Sequence, residues 1–226
     1  MSPSDARERM VQEQLEARGI TNPAVTWAFR SVPRAAFVPE ALRMFAYDDR
    51  PLPIDEGQTI SQPYIVARTV EALALRGSER VLDVGTGSGY AAAILSQLAS
   101  RVFSIERLPQ LAQEAARVLA RLGYRNVEVT LGDGSLGFPE HAPYDAIAVA
   151  ASGPDVPPAL LEQLAVGGRL VMPVGGDEQV LVRVTRLASD NFRREVLDEV
   201  QFVPLIGAQG FPESEPEVQR PSPARA

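Results

Sequence analysis

The chain has no cysteine and one histidine, His141. Without cysteine there are no disulfides, no thiolate nucleophile and no cysteine-bound metal. One histidine cannot build a multi-histidine centre, so no metal is expected. His141 lies in Pro139-Glu140-His141-Ala142-Pro143, a turn, and reads as a solvated loop residue rather than a catalyst. Long apolar runs are also missing. No stretch reaches the roughly 18 residues of a membrane-spanning helix, so no membrane association is expected. Basic residues are in deficit, 22 Lys and Arg against 29 Asp and Glu, for a net charge of −7. That balance disfavours a nucleic-acid backbone as partner. The start of the chain, Met1 to Arg9, is charged and lacks a signal-peptide core, so a cytoplasmic protein is expected.

What is present suffices for one large domain. The 226 residues are 45% hydrophobic and 23% charged, enough to bury a sizeable core. An amphipathic helix is expected over 4–18, opened by Ser4 or Asp5 and closed by Gly19. A second is expected over 23–31, starting after Asn22, with Val25, Trp27 and Phe29 packing inward. A turn and short helix over 32–39 lead into an irregular stretch over 46–63, of a length that is often functional. A helix then runs to about Leu75, closed by Gly77.

From Val81 the pattern alternates. Strands are expected over 81–85, 101–105, 127–131, 144–149, 168–173, 179–188 and 195–203, and helices over 89–99, 109–122 and 157–165. This predicts an α/β fold with a doubly wound, mostly parallel sheet, closed by an antiparallel pair. Residues 1–207 read as a single domain with a helical extension over about 1–76. Residues 208–226, rich in proline and glutamate, read as a disordered tail.

The most informative stretch is Val81-Leu82-Asp83-Val84-Gly85-Thr86-Gly87-Ser88-Gly89-Tyr90, a buried strand, a glycine turn and a helix start. Free N–H groups and partial positive charge gather at such a helix start, and glycine lets a ligand come close. Asp83 precedes the turn, and Glu106 follows Gly85 by 21 residues, ending the run Val102-Phe103-Ser104-Ile105. Two carboxylates around the turn suit ribose hydroxyls and an ammonium group better than a pyrophosphate. That points to S-adenosylmethionine rather than a dinucleotide. Gly87-Ser88-Gly89-Tyr90-Ala91-Ala92 also fits the dinucleotide pattern, but its first glycine sits two residues too deep and leaves Asp83 unexplained. Asp133 and Gly134, after the strand over 127–131, reach the same sheet edge, where an Asp-Gly turn is the alternative reading. Ser61, before Gln62-Pro63, reads equally as a helix cap or as a working hydroxyl.

Four blocks resemble the protein-L-isoaspartate O-methyltransferase family, in its bacterial branch: GQTISQPYIVA (57–67), VLDVGTGSGYAAAIL (81–95), GDG (132–134) and VPLIG (203–207). The resemblance extends over about residues 5–207. It departs at Val149-Ala150-Ala151-Ser152-Gly153-Pro154, where the family more often has threonine or glycine before two alanines. The resemblance implies the Rossmann-like fold of S-adenosylmethionine-dependent methyltransferases, with S-adenosylhomocysteine as product. It also implies methylation of L-isoaspartyl residues in damaged proteins. Residue by residue, it implies a cofactor site of Asp83, Gly85, Thr86, Gly87, Ser88, Gly89, Glu106, Arg107, Asp133 and Gly134. Ser61 is implied as the active-site hydroxyl, with Thr59, Ile60, Val203, Pro204 and Leu205 beside it on the substrate. A carboxylate is already ionised at neutral pH, so no general base is required. Isoaspartyl proteins are the expected partners and a monomer the expected state. The alternatives are a methyltransferase for another carboxylate or small molecule, a cofactor-binding module without turnover, and a nicotinamide-dependent dehydrogenase.

Overall fold

In the computed structural model, which describes residues 2–213, the core is a seven-stranded sheet. Its strands are β3 (Arg80–Val84), β4 (Arg101–Glu106), β5 (Val127–Leu131), β6 (Tyr144–Val149), β7 (Leu164–Gly175), β8 (Gln179–Ala188) and β9 (Asn191–Val200). The order is β5-β4-β3-β6-β7-β8-β9. Pairs from β5 through β7 are parallel, and β7–β8 and β8–β9 are antiparallel. The chain winds outward from β3 to β5 and returns to β6 on the other side of β3. That reversal opens a crevice at the carboxyl ends of the strands.

Strand alternation sends Val81, Val102, Ala146 and Val171 to one face, under α3 (Pro63–Leu73), α4 (Tyr90–Ser96), α5 (Pro109–Leu122) and the N-terminal helices. Leu82, Val84, Phe103, Ile105 and Ile147 go to the other face, under α6 (Pro158–Gln163) and short turns. Both faces being covered explains why β3 and β6 read as near-continuous apolar runs.

The extension begins with α1 (Pro3–Arg9). Its cap is Ser2, one of a reciprocal pair with Asp5, and not Ser4 or Asp5 as expected. Proline suits the first helical position, which moves the cap one residue upstream of it. The helix widens into a π-helical stretch over Met10–Leu15 before Gly19 closes it. In α2 (Pro23–Ser31), capped by Asn22, Val25 and Phe29 are buried, but Trp27 is 53% exposed and does not pack inward as expected. A two-stranded ribbon, β1 (Leu52–Pro53) with β2 (Thr59–Ile60), organises the irregular stretch.

Several boundaries move, among them β7, which starts at Leu164 where the expected helix over 157–165 ends early at Gln163, and three have a visible local reason. α3 ends at Leu73, with Ala74 rather than Gly77 taking the left-handed position at φ 50°. The Glu79 carboxylate then accepts from the N–H groups of Arg76 and Gly77, both at 2.9 Å, and organises the turn. α4 stops at Ser96 because the Asn126 amide donates to the carbonyls of Ser96 and Ala99. β9 starts at Asn191, paired with Ala188, and stops at Val200. There the Gln179 side chain binds both the N–H (2.7 Å) and the C=O (3.1 Å) of Phe202 and turns the chain out of the sheet toward the crevice.

The expected tail is corrected at its start. Residues 208–213 are folded against the body, whereas the rest of that expectation, 214–226, lies outside the described residues. His141 stacks on Phe103 at 4.2 Å between ring centroids, away from the crevice. Among the described residues no cluster of metal-ligating side chains forms, and no helix is long and apolar enough to cross a membrane.

Candidate active site

The glycine turn forms the floor of a cleft of about 300 Å³ at the carboxyl end of β3. Gly85, Gly87 and Gly89 all have positive φ, at 89°, 52° and 87°, which side chains disfavour. The three do different work. Gly85 and Gly87 line the cleft, whereas Gly89 does not. A Cβ on Gly89 would stand 3.3 Å from Leu119, so its role is the close packing of α4 on α5. Glu106, at the end of β4, braces the turn: one carboxylate oxygen accepts from Gly87 N–H at 2.9 Å, the other from Leu108 N–H at 3.1 Å. Each oxygen keeps a lone pair for a ligand hydroxyl.

Of the expected residues, Thr59, Ile60, Ser61, Thr86, Ser88, Arg107, Gly134, Val203, Pro204 and Leu205 also line the cleft. Ser61 follows β2 and does not cap α3, whose N-cap residue is Gln62, with no side-chain cap bond. Val203 to Leu205 lie along Ser152: Ser152 N–H donates to Val203 C=O at 2.8 Å, and Leu205 N–H to Ser152 C=O at 2.7 Å. The opposite edge of that segment presents the carbonyl of Pro204 and, proline having none, no N–H.

Three expected residues do not reach the cleft: Gly89, which packs α4 on α5, and the carboxylates Asp83 and Asp133. Asp83 is buried behind the turn, in register with Ser104 of β4. Its Oδ2 accepts from the Ser104 hydroxyl at 2.6 Å, and its Oδ1 has no partner among the described residues. Asp83 instead lines a smaller cavity that it shares with Ser61. Burial pushes its carboxyl up to about 7, opposed by the Ser104 bond and aided by the Glu106 charge.

Asp133 is turned the other way. It accepts from the N–H and hydroxyl of Ser135, at 2.9 and 2.7 Å, and from Ala208 N–H at 2.7 Å. Burial opposes its ionisation, yet the bonds from Ala208 and Ser135, with Arg107 nearby, hold its carboxyl below the usual range. A Cβ on Gly207 would stand 2.0 Å from Asp133 Oδ1, so glycine is required for this approach.

The segment after Leu205 therefore closes one wall of the cleft. Gln209 N–H donates to the Ser135 hydroxyl, Phe211 N–H to Leu205 C=O, and Arg107 pairs with Glu213 at 2.6 Å. A chain ended after Glu213 keeps these bonds, and one ended after Gly207 loses them. At about 0.5–1.5 kcal/mol net per bond and about 2–4 °C per kcal/mol, the shorter chain should melt several degrees lower in a thermal scan. Equal melting temperatures for the two would show that this wall contributes nothing.

Ala150 and Ala151, from the run that departs from the family pattern and was expected to border the cofactor, line the cleft, as do Tyr90, Leu108 and Ile206, which were not singled out as site residues. Ser104, which holds Asp83, was also missed. Its signal was present, as the one hydroxyl in the buried run from Val102 to Ile105.

Comparison with known proteins agrees with this arrangement. The sequence profile of the family described as protein-L-isoaspartate(D-aspartate) O-methyltransferase matches residues 5–210. Protein-L-isoaspartate O-methyltransferase 1 of Rhodopseudomonas palustris (strain HaA2) is 59% identical over 220 residues, covering 96% of this chain and 90% of that one. Protein-L-isoaspartate O-methyltransferase 2 of Pelobacter propionicus is 60% identical over 207 residues, covering 91% and 92%. A solved structure named protein-L-isoaspartate O-methyltransferase superposes with a TM-score of 0.83 at 30% identity, covering 90% of this chain and 67% of that one. One from Plasmodium falciparum, in complex with S-adenosyl-L-homocysteine, superposes at 0.76 with 27% identity, covering 88% and 98%. The chain belongs to the protein-L-isoaspartate(D-aspartate) O-methyltransferase family.

Proposed function

We propose that this protein transfers a methyl group from S-adenosylmethionine to the free α-carboxylate of L-isoaspartyl residues in damaged proteins. The observation that carries this reading is the family match over residues 5–210, which spans every block lining the cleft. A cytoplasmic monomer acting on protein chains, and not on nucleic acid, is the setting we propose for it.

The donor set fits the cofactor. The left-handed glycines form a cradle, Glu106 has lone pairs free for ribose hydroxyls, and Asp83 Oδ1 is a buried acceptor without a protein partner. Gly85, Gly87, Ser88, Glu106, Arg107 and Gly134 would hold the cofactor at the cleft wall. Thr86 would act from the turn and Asp83 from behind it. Asp133 would act through the chain that it anchors. The cofactor supplies an electrophilic methyl group on a sulfonium, which becomes a neutral thioether when the methyl leaves.

The chain's own task is alignment and exclusion of water. The acceptor carboxylate needs no base, and His141 is remote from the cleft. The Ser61 hydroxyl would donate to one oxygen of that carboxylate and leave the other to attack in line. Thr59, Ile60 and the segment from Val203 to Leu205 would flank the peptide. With Pro204 lacking an N–H, that edge offers a peptide a carbonyl acceptor but not a full strand ladder. The test is incubation with methyl-labelled cofactor and an isoaspartyl peptide. Label is expected on the peptide as a base-labile ester. Cofactor binding without label on any isoaspartyl peptide would reduce the protein to a binding module.

A further inference from the structure

Behind the glycine turn runs a chain of three side chains that the transfer step does not use. Thr86, which lines the cleft, has its hydroxyl 2.6 Å from that of Ser104, and the Ser104 hydroxyl donates to Asp83 Oδ2 at 2.6 Å. With Asp83 ionised, the Ser104 proton goes to the carboxylate and Thr86 is the donor in the first contact. The chain is polarised in one direction, from the cleft to the carboxylate.

The surroundings of Asp83 hold nothing that would neutralise it. It is 1% exposed, and Oδ1 is unpartnered. The cavity that it lines is walled by Ala148 and Val149 of β6, by Ile65, Val66 and Thr69 of α3, by Ala91 and Leu95 of α4, and by Ser61, Ala150 and Phe202. None of these is charged. Among the described residues the one charged group acting on Asp83 is Glu106, from the end of β4, and it is of like sign. A wholly buried carboxylate without a cation favours its neutral form. A ligand carrying net positive charge into the adjoining cleft reverses that preference.

We infer that binding of the cationic cofactor expels a proton from Asp83 to solvent, and that Ser104 is the positioning residue that sets the pH at which this happens. The inference rests on the cofactor reading above. The balance is simple: the Asp83 O–H bond breaks, the proton passes to buffer, and the carboxylate remains as counter-charge to the bound ligand. Ser104 favours the charged form by donating to it, and Thr86 strengthens that bond. Since the carboxyl of the free protein is pushed up to about 7, binding near neutral pH should release about half a proton. Affinity must then rise with pH, by about tenfold from pH 6 to pH 8, and flatten above.

The experiment is calorimetry of S-adenosylmethionine binding to the full chain, in buffers of different ionisation enthalpy, from pH 6 to pH 8. The wild type is compared with Asp83→Asn and Ser104→Ala. Taking Asp83→Asn as baseline removes any proton exchanged by the ligand's own amine. The wild type should release more protons than this variant at pH 6.5, and the excess should fade by pH 8. In Ser104→Ala the excess should persist at pH 8 and the rise in affinity should move upward. The infrared band of a protonated buried carboxyl should be present in the free wild type at pH 6 and vanish on binding. Ionised Asp83 costs the empty fold stability as pH rises from the ordinary carboxylate range through about 7. Asp83→Asn should therefore melt no lower than wild type at pH 8, which checks that it folds. Should it not fold, the Ser104→Ala shift and the infrared band decide. Binding with equal proton release in all three proteins, or a band that survives binding, would overturn the inference. No binding heat at any pH would instead strike the cofactor reading.

Discussion

On matched peptides that differ only in the linkage of one residue, methyl label is expected to enter the isoaspartyl form about a hundredfold faster than the normal aspartyl form. The two peptides have the same atoms. The isoaspartyl linkage adds a methylene to the main chain and moves the free carboxylate relative to the backbone on either side. On the proposed reading the cleft fixes both quantities at once, because Ser61 and Val203 to Leu205, the latter pinned through Ser152, line the same cleft. A peptide seated along Val203 to Leu205 would present its carboxylate to Ser61 only with the correct spacing, and a misplacement near ~1 Å lowers the rate about a hundredfold. Ser61→Ala should lower turnover on the isoaspartyl peptide by about tenfold to hundredfold, the size of a bond to a charged group. It should leave cofactor affinity within about twofold, since the proposed bond is to the acceptor. Because Ser61 does not cap α3, a loss of turnover cannot be charged to an uncapped helix. Equal labelling of the two peptides would remove isoaspartyl repair as the activity. Unchanged turnover in the variant would remove Ser61 from the reaction.

The parts of the fold that were legible in the sequence are those where local pattern and tertiary packing agree. Helix α5 falls at Pro109–Leu122 as expected because its apolar stripe, proline start and Gly123 stop all point the same way. The parallel strands are legible because both faces are buried, so their runs are nearly continuous. The glycine turn is legible because only glycine tolerates the backbone it requires.

What was not legible depends on long-range partners. Nothing near Trp27 in the sequence says that its side of α2 is left to solvent. Asp133 sits at the expected sheet edge, but its direction is set by Ala208, 75 residues away. The same contact folds residues 208–213 onto the body, although their composition reads as tail. Proline-rich composition reports how little a segment can bury alone, and it is silent about hydrogen bonds that the rest of the fold supplies.

The two carboxylates that first pointed to the ligand have separate environments, and this separates their expected effects. Asp83 is sealed behind the turn without a cation. Glu106 is also buried, but it borders the cleft and each of its oxygens is tied to one backbone N–H. Replacing Asp83 changes the charge that the ligand meets. On the proposed reading, replacing Glu106 changes hydrogen bonds to the ligand and the set of the turn together.

Glu106→Ala is therefore expected to weaken both S-adenosylmethionine and S-adenosylhomocysteine by about tenfold to hundredfold. That is the range for loss of hydrogen bonds to a charged group, about 1.5–3 kcal/mol. The loss should be similar for the two ligands, because they share the ribose and differ at the sulfur. Part of it is indirect: alanine leaves the N–H groups of Gly87 and Leu108 without their acceptor, which loosens the turn. Glu106→Gln separates the parts. Its one carbonyl oxygen can serve either N–H, and its amide can still meet a hydroxyl, so its affinity should fall between wild type and alanine. Calorimetry of both ligands on both variants, with melting temperatures measured in parallel, reads the outcome. Unchanged affinity in Glu106→Ala would remove Glu106 from ligand binding and leave it as a brace of the turn. A loss confined to S-adenosylmethionine would place its effect at the methyl-bearing end of the ligand rather than at the ribose.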